Sequence, residues 1–162
     1  MNGLPRWLYF LPALIAIVWL GWWLFGRSPT TQILAAQQKF LIAVEGRDWK
    51  EVRSMLATDY ADSYGLTQET APATAAEIMQ GFLFLTLRTE VQPFQPTADR
   101  AAVRVRIQME GQGLGFSPMI ISRVNAMPEP WHFIWRKDGP WHWSWKIIRI
   151  HQSDLPLPAA SQ

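Results

Sequence analysis

From Trp7 to Phe25 the chain carries no charged side chain, and Arg6 and Arg27 bracket the stretch. Nineteen residues at a helical rise of ~1.5 Å span about 28 Å, close to the hydrocarbon thickness of a bilayer. Trp7, Tyr9, Trp19, Trp22 and Trp23 sit mostly toward its ends, where amphipathic rings favour the headgroup zone. Pro12 falls in the first turns, where a missing N–H costs little. A cleaved leader would show a shorter apolar region and a small-residue cleavage site. Here the run ends in Trp22-Trp23-Leu24-Phe25-Gly26-Arg27 instead. The expectation is a single-pass transmembrane helix within residues 1–27, a short linker over 28–31, one domain over 32–154 and a frayed tail over 155–162.

The net charge of +2 does not extend to that domain. Arg6 and Arg27 flank the apolar run, and without them the basic residues only equal the 13 acidic ones. No excess remains to track a phosphate backbone, so nucleic acid is not an expected partner. The chain has no cysteine, which excludes disulfides, thiolate catalysis, lipoprotein acylation and cysteine zinc sites. The α-amino group and Arg6 before the run, against Arg27 and then Lys39 after it, point to a cytoplasmic N-terminus. The chain is therefore expected in a bacterial inner membrane with its C-terminal domain on the extracytoplasmic side.

Beyond Arg27 the pattern divides into helices followed by strands. Ile33, Ala36, Phe40 and Val44 give Gln32–Glu45 an apolar helical face. Asp48 caps a second helix running to Ala57, and Thr74–Leu85 reads as a third, although Gly81 weakens its end. Leu87–Phe94 is a candidate strand. Arg100–Glu110 alternates Ala101, Val103, Val105, Ile107 and Met109 with polar residues, the signature of a half-buried strand. Met119–Asn125 reads as a further strand, and Trp131–Arg136 with Trp141–Ile150 as a hairpin around Lys137-Asp138-Gly139-Pro140. The expected class is α+β: three helices packed in a curved antiparallel sheet.

Phe40-Leu-Ile-Ala-Val-Glu-Gly-Arg-Asp-Trp49 with Val52, Met55-Leu56-Ala57 and Asp59-Tyr60 resembles the opening of the nuclear transport factor 2-like superfamily. Asp99-Arg100-Ala101-Ala102-Val103 is similar to its middle-strand entry. Trp135-Arg-Lys-Asp-Gly139 and Trp145-Lys-Ile-Ile-Arg-Ile150 are similar to its last hairpin. The resemblance covers nearly all of Thr31 to Ser153. It implies a cone of three helices wrapped by a bent sheet, often dimeric, which serves SnoaL-like and ketosteroid-isomerase-like enzymes as well as scaffolds without chemistry. Fold alone does not choose among these.

Ketosteroid isomerase chemistry needs a general base and acidic donors for an oxyanion. Alignment of the Gly46/Asp48 turn carries the family's tyrosine donor onto Phe40, which has no hydroxyl, and its base aspartate onto Tyr64. Asp59 and Asp62 remain as nearby carboxylates, more in keeping with surface acids than with bases, and no catalytic residue is assigned. His132, His142 and His151 give no metal set, because Arg136–Trp141 pairing would send His132 and His142 to opposite faces. No metal or other cofactor is expected.

The same pairing places Trp143 and Trp145 on one face of the hairpin and Trp131, Phe133 and Trp135 on the other. Trp49, Tyr60, Tyr64, Phe82, Trp143 and Trp145 are then the expected lining of a cavity for a small hydrophobic ligand. Trp131, Phe133 and Trp135 are the expected interface to a second copy or a protein partner. The leading expectation is a membrane-tethered, non-catalytic binding or assembly module. The alternative is a small-molecule isomerase, dehydratase or hydrolase using the same cavity.

Overall fold

The computed structural model describes residues 14–16, 19, 21 and 28–154. Among these, no helix is long and apolar enough to cross a membrane. The anchor expected within 1–27 and the tail 155–162 lie almost wholly outside the described residues.

Three helices come first: α1 (Pro29–Glu45), α2 (Trp49–Met55) and α3 (Thr70–Met79). Ser28 caps α1 by accepting the Thr31 N–H, and Pro29 begins it where no N–H is needed. Asp48 caps α2 through the Glu51 N–H at 3.0 Å. Strands β1 (Phe82–Val91) and β2 (Arg100–Gly113) follow, then α4 (Ser117–Asn125), β3 (Trp131–Lys137) and β4 (Trp145–His151). The strands form one antiparallel sheet in the order β1-β2-β3-β4. Past α2 the chain runs beside β4, with Ala57 N–H donating to the Ile147 carbonyl at 2.9 Å. That segment covers the edge β4 would otherwise leave open.

The core lies between the helices and the inner face of the sheet. Ala101, Val103 and Val105 of β2 stand opposite Trp135, Phe133 and Trp131 of β3, and all six turn inward against Ile33, Phe40 and Leu41 of α1. On β4, Trp145 and Ile147 are buried. A bulge at Ile148 then shifts the pattern, so that Ile150 rather than Arg149 packs inward. The outer face carries Arg104, Arg106, Gln108 and Glu110 and is exposed.

Four expectations are corrected. Met119–Asn125 belongs to a helix, not a strand. Its Ile120, Ile121 and Val124 cover a second cluster of Met79, Phe82, Leu85 and Met109. Helix α3 stops at Met79, because from Phe82 the chain is already β1. Gly81 accepts from Leu114 N–H at 2.7 Å, which joins it to the end of β2. The last hairpin does not pair Arg136 with Trp141: Lys137 faces Trp145, and Asp138 to Ser144 form a wide loop closed by Asp138 N–H donating to the Ser144 carbonyl at 2.9 Å. Consequently Trp131, Phe133 and Trp135 face the core, with Phe133 and Trp135 only 2% and 0% exposed. They present no outer interface.

Candidate functional site

A cavity of about 350 Å³ opens between the three N-terminal helices and the inner face of the sheet. Phe40 and Val44 reach it from α1, Trp49, Val52 and Leu56 from α2 and its end, and Ala71, Ala75 and Ile78 from α3. Trp131 and Ile150 close it from the sheet. The residues Ala71, Ala75 and Ile78 recur at helical spacing and are small or slender, which leaves the space that larger side chains would fill.

Its polar atoms gather on one side, in the segment between α2 and α3. The Tyr60 hydroxyl donates to Asp62 Oδ2 at 3.3 Å, while Asp62 Oδ1 accepts the backbone N–H groups of Tyr64 and Leu66, each at 2.8 Å. The Tyr64 hydroxyl donates to the Gln152 carbonyl at 2.8 Å. Burial, and after it the facing Asp62 carboxylate, hold Tyr60 far above the usual phenol range. Burial also raises Tyr64, partly offset by its bond to Gln152. Both phenols therefore stay protonated near neutral pH and serve as hydrogen-bond donors. Asp62 supplies the acceptor, and three donors fix its orientation.

Of the expected cavity residues, Trp49, Tyr60 and Tyr64 line this space. Phe82 does not: it is buried in the second cluster with Met79 and Met109. Trp145 is 1% exposed, buried in the main core, and Trp143 is 57% exposed on the wide loop. Both border a different groove of about 430 Å³ with Gln32, Ala36, His142 and Lys146. That groove is charged, with Lys39 and Glu51 paired across it at 2.6 Å. Trp131, expected at an interface, lines the cone cavity instead. Asp62, weighed in the sequence only as a nearby acid, is the carboxylate on the cavity wall.

Asp59 points elsewhere. It is exposed and takes a two-point bond from Arg136, at 2.7 and 2.9 Å, while Arg136 also binds Asp138 at 2.6 Å. Arg136 lowers the Asp59 pKa, and the triad ties the end of α2 to β3. His132 faces His151 across the sheet with ring centroids 6.3 Å apart, and His151 Nδ1 lies 3.0 Å from Ser63 Oγ. His142 is in the wide loop against Trp143. Among the described residues no group of three or more His, Asp or Glu is arranged to hold a metal ion.

The architecture matches solved structures. An NTF2-like protein from Cytophaga hutchinsonii aligns at 19% identity and a TM-score of 0.50 over 76% of this chain and 96% of that one. A proposed dehydratase of the NTF2-like family from Streptomyces avermitilis aligns at 16% identity and 0.57, over 76% and 93%. The fold is NTF2-like. A third match, Bdellovibrio bacteriovorus Bd1075, reaches a TM-score of 0.57 at 11% identity over 75% of this chain, which spans only 38% of that longer protein. No protein-family model and no curated protein matches the sequence. At these identities the NTF2-like likeness establishes the fold and leaves the activity to the site.

Within that fold, the positions onto which the resemblance carries ketosteroid isomerase chemistry both lie at the cavity. Phe40 brings no hydroxyl there, and Tyr64 brings a protonated phenol already donating to a carbonyl.

Proposed function

We propose that the chain is a membrane-tethered binding module of the NTF2-like type, whose cone cavity takes a small, mostly apolar molecule bearing one hydrogen-bonding group. The observation that carries this reading is the cavity itself: apolar on the helix and sheet sides, with Tyr60 and Asp62 on one wall. Sites of this size and make-up bind by burying an apolar body and orienting it with a few polar contacts. The volume of about 350 Å³ suits a ligand of one or two fused rings.

Binding is favoured over turnover because the polar groups are committed to one another. Asp62 accepts three protein hydrogen bonds, and among the described residues no histidine lines the cavity. The tether is supported by the uncharged run Trp7–Phe25 and by the exposure of Leu14, Ile15 and Trp19, apolar side chains in helical segments. The α-amino group together with Arg6 before the run, against Arg27 and then Lys39 after it, favours the domain lying outside the cytoplasm.

Calorimetric titration of the purified chain with 2-naphthol, an apolar body with one hydroxyl, tests the binding claim. Saturable binding at one site is expected, and Ala75→Trp, which fills the cavity from α3, abolishes it. Equal binding by that variant would move the site elsewhere. For the tether, the full chain is expected to resist carbonate extraction from membranes. Release into the supernatant would contradict it.

One observation keeps an enzyme in view: Asp62 is a carboxylate on the wall of an apolar cavity in a fold that also serves a proposed dehydratase. In that case Asp62→Asn would abolish conversion of a bound substrate while preserving its affinity. A binding module would show no conversion to lose.

A further inference from the structure

We infer that the loop between β3 and β4, led by Trp141 and Trp143, rests in the headgroup zone of the bilayer that holds the N-terminal segment; the inference depends on the tether proposed above. Only Gly26 and Arg27 separate Phe25, the last residue of the uncharged run, from Ser28, the cap of α1. Even fully extended, that connection spans about 10 Å. The start of α1 is thus the part of the domain that the tether holds nearest the membrane.

The loop is fastened to that end. Gln32, one turn into α1, accepts from Trp145 Nε1 at 3.1 Å and Lys137 Nζ at 3.4 Å. Those two residues are where the chain leaves and re-enters the sheet. Between them the loop is braced by Asp138 N–H to the Ser144 carbonyl and by Ser144 N–H to the Trp141 carbonyl. It presents Trp141 and Trp143 stacked face to face, 5.3 Å between centroids and 2° between planes. They are 40% and 57% exposed. Exposed indole rings are the chemistry that settles at a lipid–water boundary: the ring takes the apolar side, and the indole N–H takes the wet side.

The opposite end of the domain provides the control. Helix α1, 17 residues long, carries its C-terminus about 25 Å from Ser28. There Arg47 donates to the Phe82 carbonyl, next to an exposed apolar tip at Leu114 and Phe116. If hydrophobicity alone chose the lipid-facing surface, that tip would be chosen. The short connection to Ser28 selects the tryptophan loop.

The absence of cysteine in the chain allows a direct test. Single variants Pro140→Cys and Phe116→Cys, both at exposed positions, are labelled with a polarity-sensitive fluorophore. Each full-length protein is reconstituted into phosphatidylcholine vesicles containing a headgroup-depth nitroxide lipid. The label at position 140 should be quenched several times more than the one at 116. Adding Trp141→Ser with Trp143→Ser should remove the difference while the protein still floats with the vesicles. Flotation reports the tether separately, so a chain that stays behind overturns both readings. A floating chain with equal quenching, or with quenching only at position 116, overturns the docking and leaves the tether. A blue shift at position 140 that grows with protein density without nitroxide quenching assigns the loop to a second copy, and also overturns it.

Discussion

Trp135 donates its indole N–H to Oε1 of Gln37 at 3.0 Å, across the core from β3 to α1, with 0% and 1% of each side chain exposed. Gln32 makes the same kind of bond to Trp145 at 3.1 Å. Two glutamines on the buried side of α1 thus satisfy the polar atoms of the two largest core residues, which is what makes tryptophan tolerable there. Among the described residues Gln37 Nε2 has no hydrogen-bond partner, a residual cost within the same contact.

The stability of the domain should therefore separate the tryptophans sharply. Trp135→Glu buries an unpaired carboxylate and should leave the domain unfolded, a loss of more than about 3 kcal/mol. Trp135→Phe strands Gln37 Oε1 and opens space, for about 2 kcal/mol. Trp143→Glu, on the exposed loop, should keep the domain folded and cost about 1 kcal/mol, the loss of its stacking on Trp141. Urea denaturation followed by far-ultraviolet circular dichroism distinguishes these outcomes. A folded Trp135→Glu protein would mean that face is not core.

Asn125 at the end of α4 accepts the Met109 N–H at 2.7 Å and donates to the Met109 carbonyl at 2.9 Å, standing in for a neighbouring strand where β3 no longer flanks β2. Asn125→Ala removes both bonds and should cost about 2 kcal/mol. Hydrogen exchange should accelerate first at Met109, ahead of Val103 and Val105. Uniform acceleration across β2 would deny Asn125 that local role.

The Asp59–Arg136 pair should shape the acid limb of stability. The bond from Arg136 holds the Asp59 pKa below its usual value. Its contribution is complete above the unfolded pKa of about 4 and is lost as pH falls through the lower folded one. Asp59→Asn should flatten the fall in Tm below that point, modestly, because the pair is exposed, and less so in high salt. Identical acid profiles for the two proteins would remove the pair from the account.

Tyr60 should govern the alkaline side. Its folded pKa is raised, so its contribution is full below about 10 and disappears as pH climbs toward the folded value. In tyrosinate difference absorbance it should ionise only as the domain unfolds, while Tyr60→Phe removes that late step. Ionisation of every tyrosine near pH 10 in the folded protein would contradict the buried hydroxyl.

Much of the fold is legible in the sequence where one period dominates. The alternation of Ala101, Val103 and Val105, the Asp48 cap and the apolar face of α1 each set a local structure that tertiary packing keeps. Legibility fails where local signals compete. Ile120, Ile121 and Val124 are β-branched and read as strand, yet Ser117-Pro118 starts a helix and their spacing faces one cluster. Asp138-Gly139-Pro140 reads as a tight turn, but Asp138 binds Arg136 and its N–H reaches Ser144, so the loop is wider and the register moves. With that shift Trp135 shares the inner face with Trp145 and Ile147, so Trp131, Phe133 and Trp135 lie inside rather than outside. The cavity was half legible: its aromatic members declare themselves, whereas Ala71 and Ala75 matter for the volume they leave empty.

Methyl-resolved nuclear magnetic resonance of the chain titrated with 2-naphthol tests the central claim most directly. The methyl groups of Ala71, Ala75 and Ile78 line the cavity, while those of Ala101 and Val103 lie in the closed core. Saturable one-to-one shifts confined to the first set are predicted, with Tyr60→Phe weakening the affinity and leaving the shift pattern in place. No shift at Ala71 and Ala75, or shifts centred on the exposed tip at Leu114 and Met119, would contradict a ligand site inside the cone.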